Sequence, residues 1–112
     1  MKTVYPDRIE WMNDNGELHR FNGPAVEYNN GTKYWYQNGY LHREGGPAAE
    51  YFNGDKRWFQ NGDPHRLDGP AVEYVNGPKC WYINGERYSE QKWFEALTED
   101  EKIAYLFKLG EK

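Results

Sequence analysis

The chain repeats itself at a step of 23 residues, and this limits the folds open to it more than any other feature. Asn-Gly stands at 15–16, 38–39, 61–62 and 84–85, His-Arg at 19–20, 42–43 and 65–66, and Gly-Pro-Ala at 23–25, 46–48 and 69–71. Glu-Tyr follows at 27–28, 50–51 and 73–74, and a second Asn-Gly at 30–31, 53–54 and 76–77. Trp35, Trp58 and Trp81 keep the step, while Trp11 is one residue out of phase, which suggests a bulge or a ragged first strand. A fixed period of this length implies one supersecondary unit stacked on its own copies.

The local chemistry of each unit predicts a β-hairpin. In "AVEYNNGTKYWY", two aromatic or β-branched segments flank Asn30-Gly31, which suits a type I′ turn because both of its central residues need positive φ. That turn pairs Val26 with Trp35, Glu27 with Tyr34 and Tyr28 with Lys33. It places Val26, Tyr28 and Trp35 on one face and Ala25, Glu27, Tyr34 and Tyr36 on the other. The same rule sets Glu50 opposite Arg57. The remainder, "QNGYLHREGGP", reads as a Gly- and Pro-rich connection to the next hairpin. The expectation is an all-β array, a single twisted sheet of about three and a half 23-residue units over residues 11–88, preceded by a lead-in strand over 1–10.

The period stops at Ser89. From there the spacing of Trp93, Phe94 and Leu97, then Ile103, Leu106 and Phe107, is helical. Ser89 is a candidate N-cap, and Thr98 with Glu101 matches a capping box. Two helices over 89–112, the second ended by Gly110, are expected to cap the apolar end of the array. A sharper reading makes this tail a partner-binding helix.

Aliphatic residues are scarce, but ten Tyr and five Trp argue for a folded chain that buries rings and long side-chain stems. The net charge of −4 disfavours direct nucleic-acid or anionic-membrane binding and allows a basic protein partner. A single Cys80, no apolar N-terminal run and no stretch of transmembrane length suggest a cytoplasmic protein.

The run "WYxNGxLHR…G" resembles the MORN-repeat family in a degenerate variant, over residues 11–88. Tyr36, Asn38, Gly39, His42 and Gly45 match its pattern, as do Phe59, Asn61, Gly62 and His65. Two departures stand out: Arg20, Arg43 and Arg66 replace the glycine after the His, and Tyr34, Arg57 and Cys80 replace the glycine of the "YxGxW" strand. The resemblance implies stacked hairpins that hold other proteins, and variants of this kind occur in antitoxin-like bacterial proteins and in phage and viral genomes. Phospholipid binding has been proposed for the family, and the acidic charge here argues against it. More loosely, "KYWYQNG" and "CWYING" resemble the aromatic repeats of cell-wall-binding modules, which hold choline or glucan.

The candidate chemical groups recur with the unit. His19, His42 and His65 would lie about 10 Å apart, twice the strand spacing, too far to converge on one metal. Each imidazole is expected to fix its own loop, and no metal or cofactor is expected. Arg20, Arg43 and Arg66 are expected to form bidentate pairs with Glu27, Glu50 and Glu73. With Trp35, Trp58 and Trp81 these sets read as a structural ladder. No phosphate-binding loop, dinucleotide glycine pattern, HExxH or CxxC is present, and Cys80 has no dedicated base, so no enzymatic activity is expected.

Function is then sought where the copies differ, at Tyr40, Asp63 and Glu86 after one Asn-Gly, at Phe52 beside the other, and at Arg57 on a strand. Partner contact and neutral drift both account for such variation. The expected function is non-enzymatic protein binding by a small acidic inhibitor of a host protein, such as a nuclease or a nucleic-acid-handling complex. A glycan or nucleotide binder and a structural repeat that self-associates through an open sheet edge are the alternatives.

Overall fold

A computed structural model of the chain describes residues 1–110. The last two positions of the expected cap, 111 and 112, lie outside the described residues. The strands in chain order are β1 (Lys2–Val4), β2 (Arg8–Trp11), β3 (Val26–Tyr28), β4 (Lys33–Tyr34), β5 (Tyr36–Gln37), β6 (Tyr40–Leu41) and β7 (Ala49–Glu50). They continue as β8 (Lys56–Arg57), β9 (Phe59–Gln60), β10 (Asp63–Pro64), β11 (Val72–Glu73), β12 (Lys79–Ile83) and β13 (Glu86–Tyr88), and α1 (Glu90–Ala96) and α2 (Glu99–Gly110) complete the chain. Residues before the first repeat form the β1–β2 hairpin rather than one lead-in strand.

Nine strands make one open antiparallel sheet in the order β1-β2-β3-β4-β7-β8-β11-β12-β13, and β5–β6 and β9–β10 form separate two-stranded ribbons. The Cα extents of 44 × 29 × 24 Å reflect this elongated shape.

The two Asn-Gly pairs of each unit take roles opposite to those expected. The type I′ turns lie at Asn38-Gly39, Asn61-Gly62 and Asn84-Gly85, where Asn φ is 49°, 50° and 50° and Gly φ is 84°, 87° and 84°. What read as a connection is therefore a hairpin. At Asn29-Asn30-Gly31 only Gly31 has positive φ, and Tyr28 N–H donates to the Thr32 carbonyl, closing a three-residue loop. Asn30 Oδ1 accepts from Thr32 N–H at 2.9 Å, a local bond that holds the Asn out of the left-handed region. The extra loop residue slips the register by one, pairing Val26 with Tyr34 and Glu27 with Lys33. Glu50 accordingly faces Lys56, and Arg57 faces Ala49. Val26, Tyr28 and Tyr34 therefore share one face, while Ala25, Glu27, Lys33 and Trp35 share the other.

Trp11 is out of phase because its turn is longer, not because the strand bulges. Asn13 N–H bonds the Glu17 carbonyl across a three-residue loop, Asp14-Asn15-Gly16, where later copies use two. His19, His42 and His65 still donate N–H to the carbonyls of Trp11, Trp35 and Trp58, so the copies realign after the turn.

The helices form as their caps dictate. Ser89 Oγ accepts from Lys92 N–H, while Thr98 Oγ1 and Glu101 Oε1 bond each other's backbone N–H at 3.2 and 2.8 Å. Trp93 is fully buried, its ring 4.6 Å from Trp81 and 5.0 Å from Tyr105, and its Nε1 donates to the Arg66 carbonyl at 2.8 Å. Leu97 completes this cluster. Ile103, Leu106 and Phe107 do not join it: α2 packs through Tyr105 and leaves those three exposed. Trp93→Ala is expected to cost about 3–5 kcal/mol in guanidinium unfolding, whereas Phe107→Ala stays within about 0.5 kcal/mol.

Candidate functional site

The loop after each His-Arg folds back over the sheet and places a guanidinium on a tryptophan. Arg20, Arg43 and Arg66 lie 4.1, 3.8 and 3.7 Å from the ring centroids of Trp11, Trp35 and Trp58. Each Nη1 also donates to a proline carbonyl, of Pro24, Pro47 and Pro70, and meets Glu27, Glu50 and Glu73 at 3.4, 3.3 and 3.0 Å. The Arg–Glu pairs are thus made through one nitrogen that also serves the loop, not by the bidentate geometry expected. Glycine leaves them room: a Cβ at Gly23, Gly46 or Gly69 would stand 3.1, 3.0 or 2.7 Å from the neighbouring Arg Cζ, so the guanidinium would have to give way, most at Gly69.

The imidazoles join consecutive units. His19, His42 and His65 accept through Nδ1 from the backbone N–H of Asn38, Asn61 and Asn84 at 3.0, 3.0 and 2.9 Å. An Nδ1 that accepts carries no hydrogen, so in this arrangement the ring proton sits on Nε2. The following glycine N–H donates to the carbonyl of Leu18, Leu41 or Pro64, so both amides of each turn are held by the preceding unit.

Stacked turns gather three of the variable positions. Glu17 lies against Gly39, Tyr40 against Gly62 and Asp63 against Gly85, and Glu86 follows the last turn. Tyr40, Asp63 and Glu86 thus extend one exposed, largely acidic edge that begins at Glu17. Phe52 is not on it. It is 70% exposed at the opposite edge, where its N–H donates to Thr32 Oγ1 and Val75 packs against Gly54. Arg57 lies on the tyrosine face between Tyr51 and Tyr74, away from both edges. The five candidates therefore belong to three surfaces.

That face is built from rings packed edge to face. Tyr34 stands 6.1 Å from Tyr28 and 5.8 Å from Tyr51. Burial, reinforced by neighbouring phenols, pushes the Tyr34 and Tyr36 hydroxyls above the usual range, keeping them protonated.

Between successive loops run two shallow grooves of about 380 and 430 Å³, one beside Arg20, Trp35 and Gln37, the other beside Arg43, Trp58 and Gln60. Where the next copy would place an arginine after Trp81, Ser89 begins a helix and Trp93 covers the ring instead.

The outward face of α2 is the surface that residue spacing alone did not separate from the packing face. Ile103, Leu106 and Phe107 are 50%, 56% and 72% exposed, beside Glu99 and Asp100 in the first turn. Lys108 is turned inward to Asp68 at 3.1 Å. Burial raises the Asp68 pKa, but hydrogen bonds and charges from Arg66 and Lys108 outweigh it and hold the carboxyl below its usual range. Among the described residues, no three His, Cys, Asp or Glu converge as metal ligands, and no helix is long and apolar enough to cross a membrane. Comparison with protein-family models, curated proteins and solved structures finds no significant match.

Three outcomes test this geometry. Gly69→Ala is expected to displace Arg66 from Trp58 and cost about 1–3 kcal/mol by chemical denaturation. Asn61→Ala, at φ 50°, is expected to cost about 1–2 kcal/mol, and Asn61→Gly largely restores stability. The Asp68 contribution is present above the usual carboxylate pKa and lost as pH falls through its lowered value, so Asp68→Asn flattens the acid limb of stability measured against pH.

Proposed function

We propose that this chain is a non-enzymatic protein-binding module of MORN-like repeats closed by a helical cap. It acts as a small acidic inhibitor of a host protein with a basic surface, such as a nuclease or a nucleic-acid-handling complex, in the manner of phage or antitoxin-like proteins. Recurrence of the Arg–Trp and His–turn contacts at a 23-residue step supports the stacked-unit reading.

The observation that carries the binding reading is the outward face of α2. Ile103, Leu106 and Phe107 form an apolar stripe at helical spacing, bordered by Asp100 and by Glu99, which Lys102 meets at 3.5 Å, while Lys108 is held against Asp68. An apolar stripe with an acidic border fits a partner surface that is apolar and rimmed by Lys or Arg. The acidic turn edge adds a longer-range attraction of the same sign. The glycan or nucleotide alternative is less favoured, because one face of Trp11, Trp35 and Trp58 is already occupied by a guanidinium. Self-association has one observation in its favour: β1 ends the sheet and carries an exposed Val4.

A tagged pull-down from bacterial lysate tests the proposal, with Leu106→Glu/Phe107→Glu and Asp63→Lys/Glu86→Lys as folded controls. One stoichiometric partner is expected, held at least tenfold more weakly by the helix variant and weakened by salt. A chain that retains no partner, or a partner indifferent to both variants, overturns it. Concentration-dependent sedimentation abolished by Val4→Lys would establish the self-associating alternative instead.

A further inference from the structure

The chain has six arginines, at positions 8, 20, 43, 57, 66 and 87. Arg8, Arg20, Arg43 and Arg66 each meet a carboxylate, but among the described residues Arg57 and Arg87 meet none. That is unexpected in a chain with 18 acidic and 14 basic residues, and the strand register explains it. Arg57 stands in the cross-strand row Glu10, Val26, Tyr34, Ala49, Arg57, Val72 and Cys80, whose one carboxylate, Glu10, lies on β2 beyond β7, β4 and β3 and is paired with Arg8. Glu27, Lys33, Glu50, Lys56, Glu73 and Lys79 form the adjacent row, on the opposite face. The cross-strand neighbours of Arg57, Ala49 and Val72, are apolar, and Asp55, two residues back, is turned to the Val75 N–H at 2.9 Å.

Tyr51 and Tyr74 flank the guanidinium, with ring centroids 5.8 and 5.7 Å from its Cζ. Nη2 donates to the Tyr74 hydroxyl at 3.3 Å at the surface, whereas Nε is buried with no hydrogen-bond partner among the described residues. A partly desolvated cation without a counter-charge is costly to hold, and an oxyanion is the group that offsets that cost best. With Nε directed inward, the two Nη groups present the end-on fork that oxyanions accept. On the same face but off this row, Arg87, whose cross-strand partner is Tyr82, reaches Cys80, its Nη2 3.7 Å from Sγ.

We infer that Arg57, flanked by Tyr51 and Tyr74, is an oxyanion subsite that takes a carboxylate or phosphate group end-on, with Arg87 a second cation on the same face. The phenol rings contact the stem carrying the anion, and the Tyr74 hydroxyl supplies a further polar contact. The subsite lies away from the acidic turn edge and is independent of the protein-binding reading.

The test uses the full chain, labelled with ¹⁵N, titrated separately with sodium acetate and inorganic phosphate at ionic strength held constant with sodium chloride. The Arg57 Nε–H resonance and the Tyr74 amide are expected to shift saturably with at least one anion, with half-saturation of order millimolar. Arg20, Arg43 and Arg66 are expected not to respond. Saturation with acetate alone assigns a carboxylate, with phosphate alone a phosphate group, and with both the shared oxyanion chemistry. Arg57→Tyr, which installs the residue found at position 34, is expected to abolish saturation without lowering the melting temperature. Arg87→Gln is expected to weaken binding at least threefold. Shifts that never saturate, or that persist in Arg57→Tyr, overturn the inference. Unfolding of Arg57→Tyr also overturns it, by making Arg57 a structural residue. None of these results bears on the lysate experiment.

Discussion

The stack of arginine on tryptophan holds each unit together. A guanidinium over an indole contributes about 0.5–2 kcal/mol, more where water is excluded. Here the same side chain also fixes its loop through a proline carbonyl and meets a glutamate on the strand below. One residue thus joins loop, strand and ring. Such a stack suits a chain poor in aliphatic side chains, because it buries Arg stems and indole faces where a larger protein would bury Leu and Ile. It also explains the small residues around it. Gly46 leaves room for Arg43, and fully buried Ala48 lies on the same face as Trp35.

A stack of this kind needs an end, and the chain supplies one by substitution. Position 89 is the serine N-cap of a helix instead of an arginine, and Trp93 covers Trp81 in its place. The indole nitrogen of Trp93 reaches the Arg66 carbonyl, much as Gln60 reaches that of Arg43 one unit earlier. Because α1 and α2 dock mainly through Trp93, Leu97 and Tyr105, the other side of α2 is left without a partner among the described residues. The outward apolar stripe follows from how the array is closed.

Charge is sorted by the same geometry. Stacking of the type I′ turns gathers Glu17, Asp63 and Glu86 along one edge. Alternation along the strands sends the Glu–Lys row to the arginine face and keeps Arg57 among tyrosines. A protein acidic as a whole therefore carries a cation on a face of tyrosines. Net charge describes only the far field of such a molecule.

Much of this was legible in the residues. The period, the hairpins, the Ser89 cap and the Thr98–Glu101 box rest on local chemistry that acts over a few positions, so a linear reading reaches them. That Arg20, Arg43 and Arg66 meet Glu27, Glu50 and Glu73 was legible from the repeat, whereas their tryptophan and proline partners and the turn amides bonded by the histidines were not. Which Asn-Gly forms the type I′ turn was not, because both dipeptides allow it and the choice depends on a side-chain bond such as that of Asn30 and on the preceding unit. That choice sets the register, and the register sets which face each strand residue joins, so one slipped residue moved Trp35 away from Val26. The candidate site was likewise only partly legible: Tyr40, Asp63 and Glu86 share an edge through the repeat, while Phe52 and Arg57 belong elsewhere. The sequence by itself determined the unit, its period and its end, since these follow from local propensities repeated at a constant step. The tertiary structure alone decided register, facing and the exposed side of α2, since these depend on bonds and packing between segments distant in the chain.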